Sequence, residues 1–139
     1  THLEREMIHT VVDFRSVMAK DVMLPMEDVQ SLPPGTPVQE LIERHGATNL
    51  DRWPVRGKGG AVTGLVNVLD VALDLCRHPQ VGDYQRRIVK LAPNEPAFTV
   101  LRKLRAARST MAVVLDPSGR PVGIVAWEDL IRLVKTAAA

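Results

Sequence analysis

The chain has 139 residues, 45% of them hydrophobic and 24% charged, with a formal net charge of +2. That is an ordinary globular balance, too near neutrality to call for a nucleic-acid partner. One cysteine, Cys76, excludes an internal disulfide framework, and no run of about 18 apolar residues exists to cross a bilayer.

Residues 1–16 read as an amphipathic helix through Leu3, Met7, Ile8, Val11, Val12 and Phe14, the place where another domain would connect. No basic-then-apolar leader pattern precedes it, and Thr1 in place of a start methionine points to a piece of a longer chain. A short apolar stretch from Val29 to Leu32 then meets the turn PPGTP, which starts a helix with Val38, Leu41 and Ile42 on one face. Two strands follow, Trp53 to Val55 and Val62 to Val66, joined by RGKGG, and a helix from Val68 to Cys76 closes the unit. The same order returns. Ile88 to Leu91 meets APNEP, and a helix carries Ala97, Val100, Leu101 and Leu104 on its apolar face. Strands from Met111 to Leu115 and Val122 to Val125 flank DPSGR, and a last helix runs from Trp127 to Lys135.

The two passes are a duplication. GLVNVLDVALDL from Gly64 aligns with GIVAWEDLIRLV from Gly123, an offset of 59 positions. The same offset carries Leu32 onto Leu91, Pro34 onto Pro93, Val55 onto Val114 and Asp70 onto Asp129 without a gap. Each half alone buries too little surface for comfortable stability, so the halves are expected to pack together. The predicted architecture is α/β (α+β), strand-helix-strand-strand-helix twice about a pseudo-twofold. Residues 1–16 form the linker helix, 17–78 the first repeat and 79–139 the second.

Catalytic and metal motifs are missing from this reading. His2, His9, His45 and His78 lack ligand spacing, no Cys-x-x-Cys occurs, and Cys76 has no histidine partner by motif. The GKGG at Gly57 lacks the phosphate-loop pattern and reads as a turn. Arg102, Lys103, Arg105 and Arg108 make a basic helical face, ordinarily a solvated one, with anionic lipid, phosphates or an acidic partner domain as the other possibilities.

The repeat, with GhhxxxD at Gly64–Asp70 and Gly123–Asp129, resembles the tandem cystathionine β-synthase (CBS) domain pair, or Bateman module. EREMIHTVVDF followed by DVMLPMEDVQSL further resembles the cytoplasmic part of CorC/HlyC-like proteins, relatives of the CNNM magnesium transport mediators. The resemblance implies a regulatory module rather than an enzyme. It implies a homodimer at the cytoplasmic face of a membrane, continuous with a membrane domain of the same parent chain and serving magnesium or cobalt efflux. It also implies an adenosine nucleotide, AMP or ATP with or without magnesium, in the cleft between repeats. In the family, Asp129 and Asp70 stand where an aspartate holds the ribose hydroxyls, and Arg52 where an arginine reaches phosphates. A carboxylate suits a vicinal diol and a guanidinium suits phosphate oxygens. Capping is the other reading of Asp70, because Asn67 lies three positions before it. Asn67 and Ala126 stand where the family usually has threonine or serine, and Leu24 where VMTP supplies a threonine. Those losses keep a ligand-free dimerisation scaffold as the alternative function.

Overall fold

A computed structural model describes residues 14–138. The helix expected over residues 1–16 lies outside them, apart from a 3-10 turn at Phe14–Ser16. The chain forms two compact units. A central unit runs from Gln30 to Ile88, and a split unit combines the residues up to Val29 with those from Val89 onward. The elements, in chain order, are helix α1 (Ala19–Val22), strand β1 (Leu24–Pro25), α2 (Val38–Thr48), β2 (Arg52–Arg56), β3 (Val62–Asn67) and α3 (Val68–Leu73). After these come β4 (Val89–Leu91), α4 (Ala97–Ala107), β5 (Met111–Leu115), β6 (Pro121–Ala126) and α5 (Trp127–Ala138).

In the split unit a four-stranded sheet has the order β1-β6-β5-β4, with β4 parallel to β5 and the other pairs antiparallel. In the central unit β2 and β3 form the antiparallel hairpin. Its two flanks are single bridges, Leu32 parallel to Val55 and Arg86 antiparallel to Leu65. The expected strand at Val29 to Leu32 thus shrinks to one bridging residue, because Pro33 and Pro34 follow at once and donate nothing to a ladder.

The offset of 59 carries the bounds of α2, β2 and β3 onto those of α4, β5 and β6. β2–β3 and β5–β6 break register at equivalent points, Val55/Arg56 and Val114/Leu115. Helices α2 and α4 both end on a left-handed residue, Asn49 and Arg108. The cores match as well. Leu32, Val38, Leu41, Val55, Val66 and Val71 in the central unit correspond to Leu91, Ala97, Val100, Val114, Val125 and Leu130 in the split unit. One exchange of volume stands out. Trp53 and His45 occupy the places of Ala112 and Leu104, and both rings approach the Leu50 carbonyl, Trp53 Nε1 at 3.2 Å and His45 Nδ1 at 3.0 Å.

A second correspondence has an offset of 62, as from Met18 to Gln80, and concerns the arms that lead into each repeat. Ala97 N donates to Val17 O, as Val38 N donates to Pro79 O. Ala19 N donates to Glu95 O, as Val81 N does to Thr36 O, and Ala19 and Val81 are both fully buried. The turns close alike too, Met18 N donating to Asp21 Oδ2 at 2.9 Å and Gln80 N to Asp83 Oδ2 at 3.3 Å. The arm ahead of the first repeat therefore belongs to the split unit, and the arm ahead of the second belongs to the central unit. Sequence repeats divide near residue 79, whereas the compact units divide at 30 and 89.

Both arms run against a glycine. A side chain on Gly64 would meet Arg86 O at 2.6 Å, and one on Gly123 would meet Leu24 O at 2.9 Å. Gly64→Ala is expected to push the arm off β3 and to cost on the order of 1–3 kcal/mol, read from the urea midpoint. The second hairpin is held by Asp116, whose Oδ1 accepts from Ser118 N, Ser118 Oγ and Arg120 N. The Ser118 hydroxyl bond leads in pulling this carboxyl below its ordinary 3.8. A depressed carboxyl stabilises the fold above its unfolded value and loses that contribution as pH falls through the folded one. Asp116→Asn should accordingly flatten the acid limb of a pH–stability curve below 3.8.

Candidate functional site

The six residues singled out in the sequence fall three in each unit, with Asn67 and Asp70 in the central unit equivalent to Ala126 and Asp129 in the split unit. In the central unit, Arg52 opens β2 and pairs across the hairpin with Asn67 at the end of β3. Asn67 is extended and caps α3, its Oδ1 accepting from Leu69 N at 2.9 Å. Asn67 is thus a cap, as its neighbourhood in the sequence indicated.

Asp70, in the first turn of α3, is engaged with the arm. Both its oxygens accept from the Arg86 guanidinium, Nε to Oδ2 at 2.5 Å and Nη2 to Oδ1 at 2.6 Å. That fork-to-fork match is the strongest geometry an arginine offers a carboxylate. It holds the Arg86 guanidinium above its ordinary pKa, with the bond to Asp70 as the leading cause. Arg86 is 63% exposed, so water and salt screen the pair, and it adds about 1 kcal/mol or less to stability.

In the split unit, Ala126 ends β6 opposite Met111, and Asp129 lies in the first turn of α5. Trp127 N donates to Thr110 O at 2.9 Å, as Val68 N does to Asp51 O at 2.8 Å, so the two strand-to-helix corners are built alike. Ala126 has no side-chain oxygen, unlike Asn67. Asp129 is 39% exposed, with Arg132 Nη1 at 3.7 Å from its Oδ1. That long contact with an outward arginine differs in kind from the bidentate grip on Asp70.

Leu24 is the residue that explains the difference. It pairs with Ile124 as Arg86 pairs with Leu65, so the two arm positions are equivalents. Where the central unit presents a guanidinium to its aspartate, the split unit presents an aliphatic side chain that is 48% exposed. Arg86 went unnoticed in the sequence because its arm follows the offset of 62, not 59. The signals for it were the paired acids Asp21 and Asp83 and the buried small residues Ala19 and Val81.

Among the described residues, no three of His, Cys, Asp and Glu are grouped to hold a metal ion. None of the described helices is long and apolar enough to cross a membrane.

The family model of the CBS domain matches residues 81–136. UPF0053 protein YhdT of Bacillus subtilis is 25% identical over 136 residues, covering 92% of this chain and 30% of that protein. The magnesium and cobalt efflux protein CorC of Buchnera aphidicola is 25% identical over 134 residues, covering 93% of this chain and 46% of that protein. The chain thus spans less than half the length of either relative. Among solved structures, the CBS domain of a bacterial CNNM/CorC family Mg2+ transporter in complex with ATP superposes with a TM-score of 0.83. It is 22% identical and covers 96% of this chain and 98% of its own, a likeness that establishes the fold. Residues 81–136 thus match a CBS domain in sequence, the chain as a whole has the fold of known CBS-domain structures, and CorC proteins are among its homologues.

Proposed function

We propose that this CBS pair is a regulatory, non-enzymatic module at the cytoplasmic face of a CorC-like membrane transport protein, and that it takes an adenosine nucleotide at Asp129. One observation carries the choice of site. The Asp70 carboxylate is spent on Arg86, while the equivalent arm position beside β6 is Leu24, which offers Asp129 no cation. A carboxylate at the start of the 12-residue helix α5 can accept from both hydroxyls of a ribose, each such bond contributing roughly 1.5–3 kcal/mol. The peptide dipoles at the start of α5 favour the phosphates of the same ligand. Magnesium would arrive on those phosphates, since the described residues group no acids for it.

Isothermal titration with AMP, ADP and ATP, with and without magnesium, tests the reading. Binding of one nucleotide per chain that survives Asp70→Ala is the expected result. No heat at millimolar nucleotide would leave the ligand-free scaffold, for which Ala126 and Leu24 argue by the hydroxyls they lack. Arg52→Ala in the same titration reports whether the guanidinium that the family resemblance assigns to phosphates takes part.

Self-association belongs to the same proposal. Helix α3 leaves Leu69 61% and Leu73 74% exposed one turn apart, an apolar edge suited to a second copy. Sedimentation velocity should give a dimer, and Leu69→Glu with Leu73→Glu should give a monomer.

A further inference from the structure

We propose that Arg86 plugs a second nucleotide site in the central unit, and that this one side chain limits the protein to a single nucleotide per chain. The inference rests on the reading of Asp129 as a ribose anchor and extends it to the equivalent acid, Asp70.

Around Asp70 the central unit carries what the split unit carries around Asp129. Both acids lie in the first turn of a helix that leaves its strand through the same corner, Val68 N on Asp51 O and Trp127 N on Thr110 O. The central corner is the more polar of the two. Asn67 commits its Oδ1 to Leu69 N and keeps amide donors for a ligand, whereas Ala126 has none to offer. What separates the two acids is the arm. Arg86 Nε and Nη2 occupy both oxygens of Asp70, at 2.5 and 2.6 Å. A neutral ribose diol brings a carboxylate two hydrogen bonds. The guanidinium brings two and a full opposite charge, so the diol does not displace it.

The fold does not require this ion pair. Arg86 N donates to Leu65 O at 2.8 Å and Arg86 O accepts from Leu65 N at 3.0 Å, bonds that any side chain permits. The rest of the arm has its own anchors. Gln85 Oε1 accepts from Thr63 Oγ1 at 2.6 Å, Gly82 N donates to Pro34 O at 2.8 Å, and Val81 is fully buried. The split unit supplies the control, because its arm lies along β6 with Leu24, which cannot form an ion pair, at the equivalent place. Arg86 is also 63% exposed, where a salt bridge does little for stability. The guanidinium is therefore dispensable to the arm, and its effect falls on what Asp70 can bind.

Isothermal titration of the full chain with AMP and with magnesium–ATP tests the plug, Arg86→Leu giving the central unit the residue that the split unit has. The wild-type chain should bind one nucleotide and Arg86→Leu two. Adding Asp70→Ala to Arg86→Leu should return the count to one, and circular dichroism checks that each protein is folded. Two nucleotides on the wild-type chain overturn the proposal, as does a second nucleotide on Arg86→Leu that persists without Asp70. One nucleotide on both wild type and Arg86→Leu, lost in each with Asp129→Ala, overturns the plug and leaves the Asp129 site standing. A chain that binds nothing until Arg86 is replaced, and then one nucleotide through Asp70, upholds the plug and refutes the Asp129 site. No binding by any of these proteins refutes both.

Discussion

Asp129→Ala is expected to abolish nucleotide binding, with a loss of two to four orders of magnitude in affinity. The estimate comes from two charged hydrogen bonds to the ribose diol at roughly 1.5–3 kcal/mol each. The same substitution at Asp70 should change affinity by less than about twofold, since a carboxylate already bound at both oxygens has little to give a ligand. Isothermal titration of the two variants beside the wild-type chain separates the cases. Equal losses at both positions would mean that Arg86 releases Asp70 when nucleotide arrives. Melting temperature is the control, because Asp129 is 39% exposed and removing it should leave the fold intact.

Trp53→Ala should be the most damaging single change to stability, costing about 3–5 kcal/mol. Trp53 is fully buried and anchors its indole N–H on the Leu50 carbonyl, so truncation empties the largest side-chain volume of the central core. For a chain of this size that is a large share of the total stability. The split unit shows how the same site is filled without it, with Ala112 at the tryptophan position and Leu104 at the position of His45. Trp53→Ala combined with His45→Leu should therefore recover part of the loss, a non-additive result measurable by denaturant unfolding of the four proteins of the cycle. If the double variant were no better than Trp53→Ala, the two positions would not be exchanging volume.

Much of this architecture could be read before any coordinates. Hydrophobic spacing located α2, α4 and α5, and the turn chemistry of RGKGG and DPSGR located both hairpins, because these signals act over a few residues. The last turn of α3 was overestimated. The expected helix to Cys76 stops at Leu73, and Leu75 and Cys76 turn left-handed, with φ of 56° and 55°. Tyr84 OH donates to Asp74 Oδ2 at 2.6 Å and accepts from His78 N at 3.1 Å, holding the following arm to the end of the helix. Those partners come from ten and six residues away, beyond the reach of local propensity.

The candidate site divided along the same line. Asp70 and Asp129 were visible as equivalents, each three residues into a helix after a strand, because one register relates them. That the two aspartates have different company was not visible. It depends on the arms, which carry three extra residues of offset and share few side chains, so that Leu24 and Arg86 are matched by backbone position alone.

By itself the sequence determined the duplication, the α/β elements of each repeat and the acids at the start of the closing helices, since each is a pattern of neighbours along the chain. Only the tertiary structure decided which arm lies beside which strand, and with it that a guanidinium faces Asp70 while an aliphatic side chain stands at the matching place for Asp129. Strand pairing joins residues far apart in the chain through backbone bonds that any side chain permits, so composition and spacing carry no record of it.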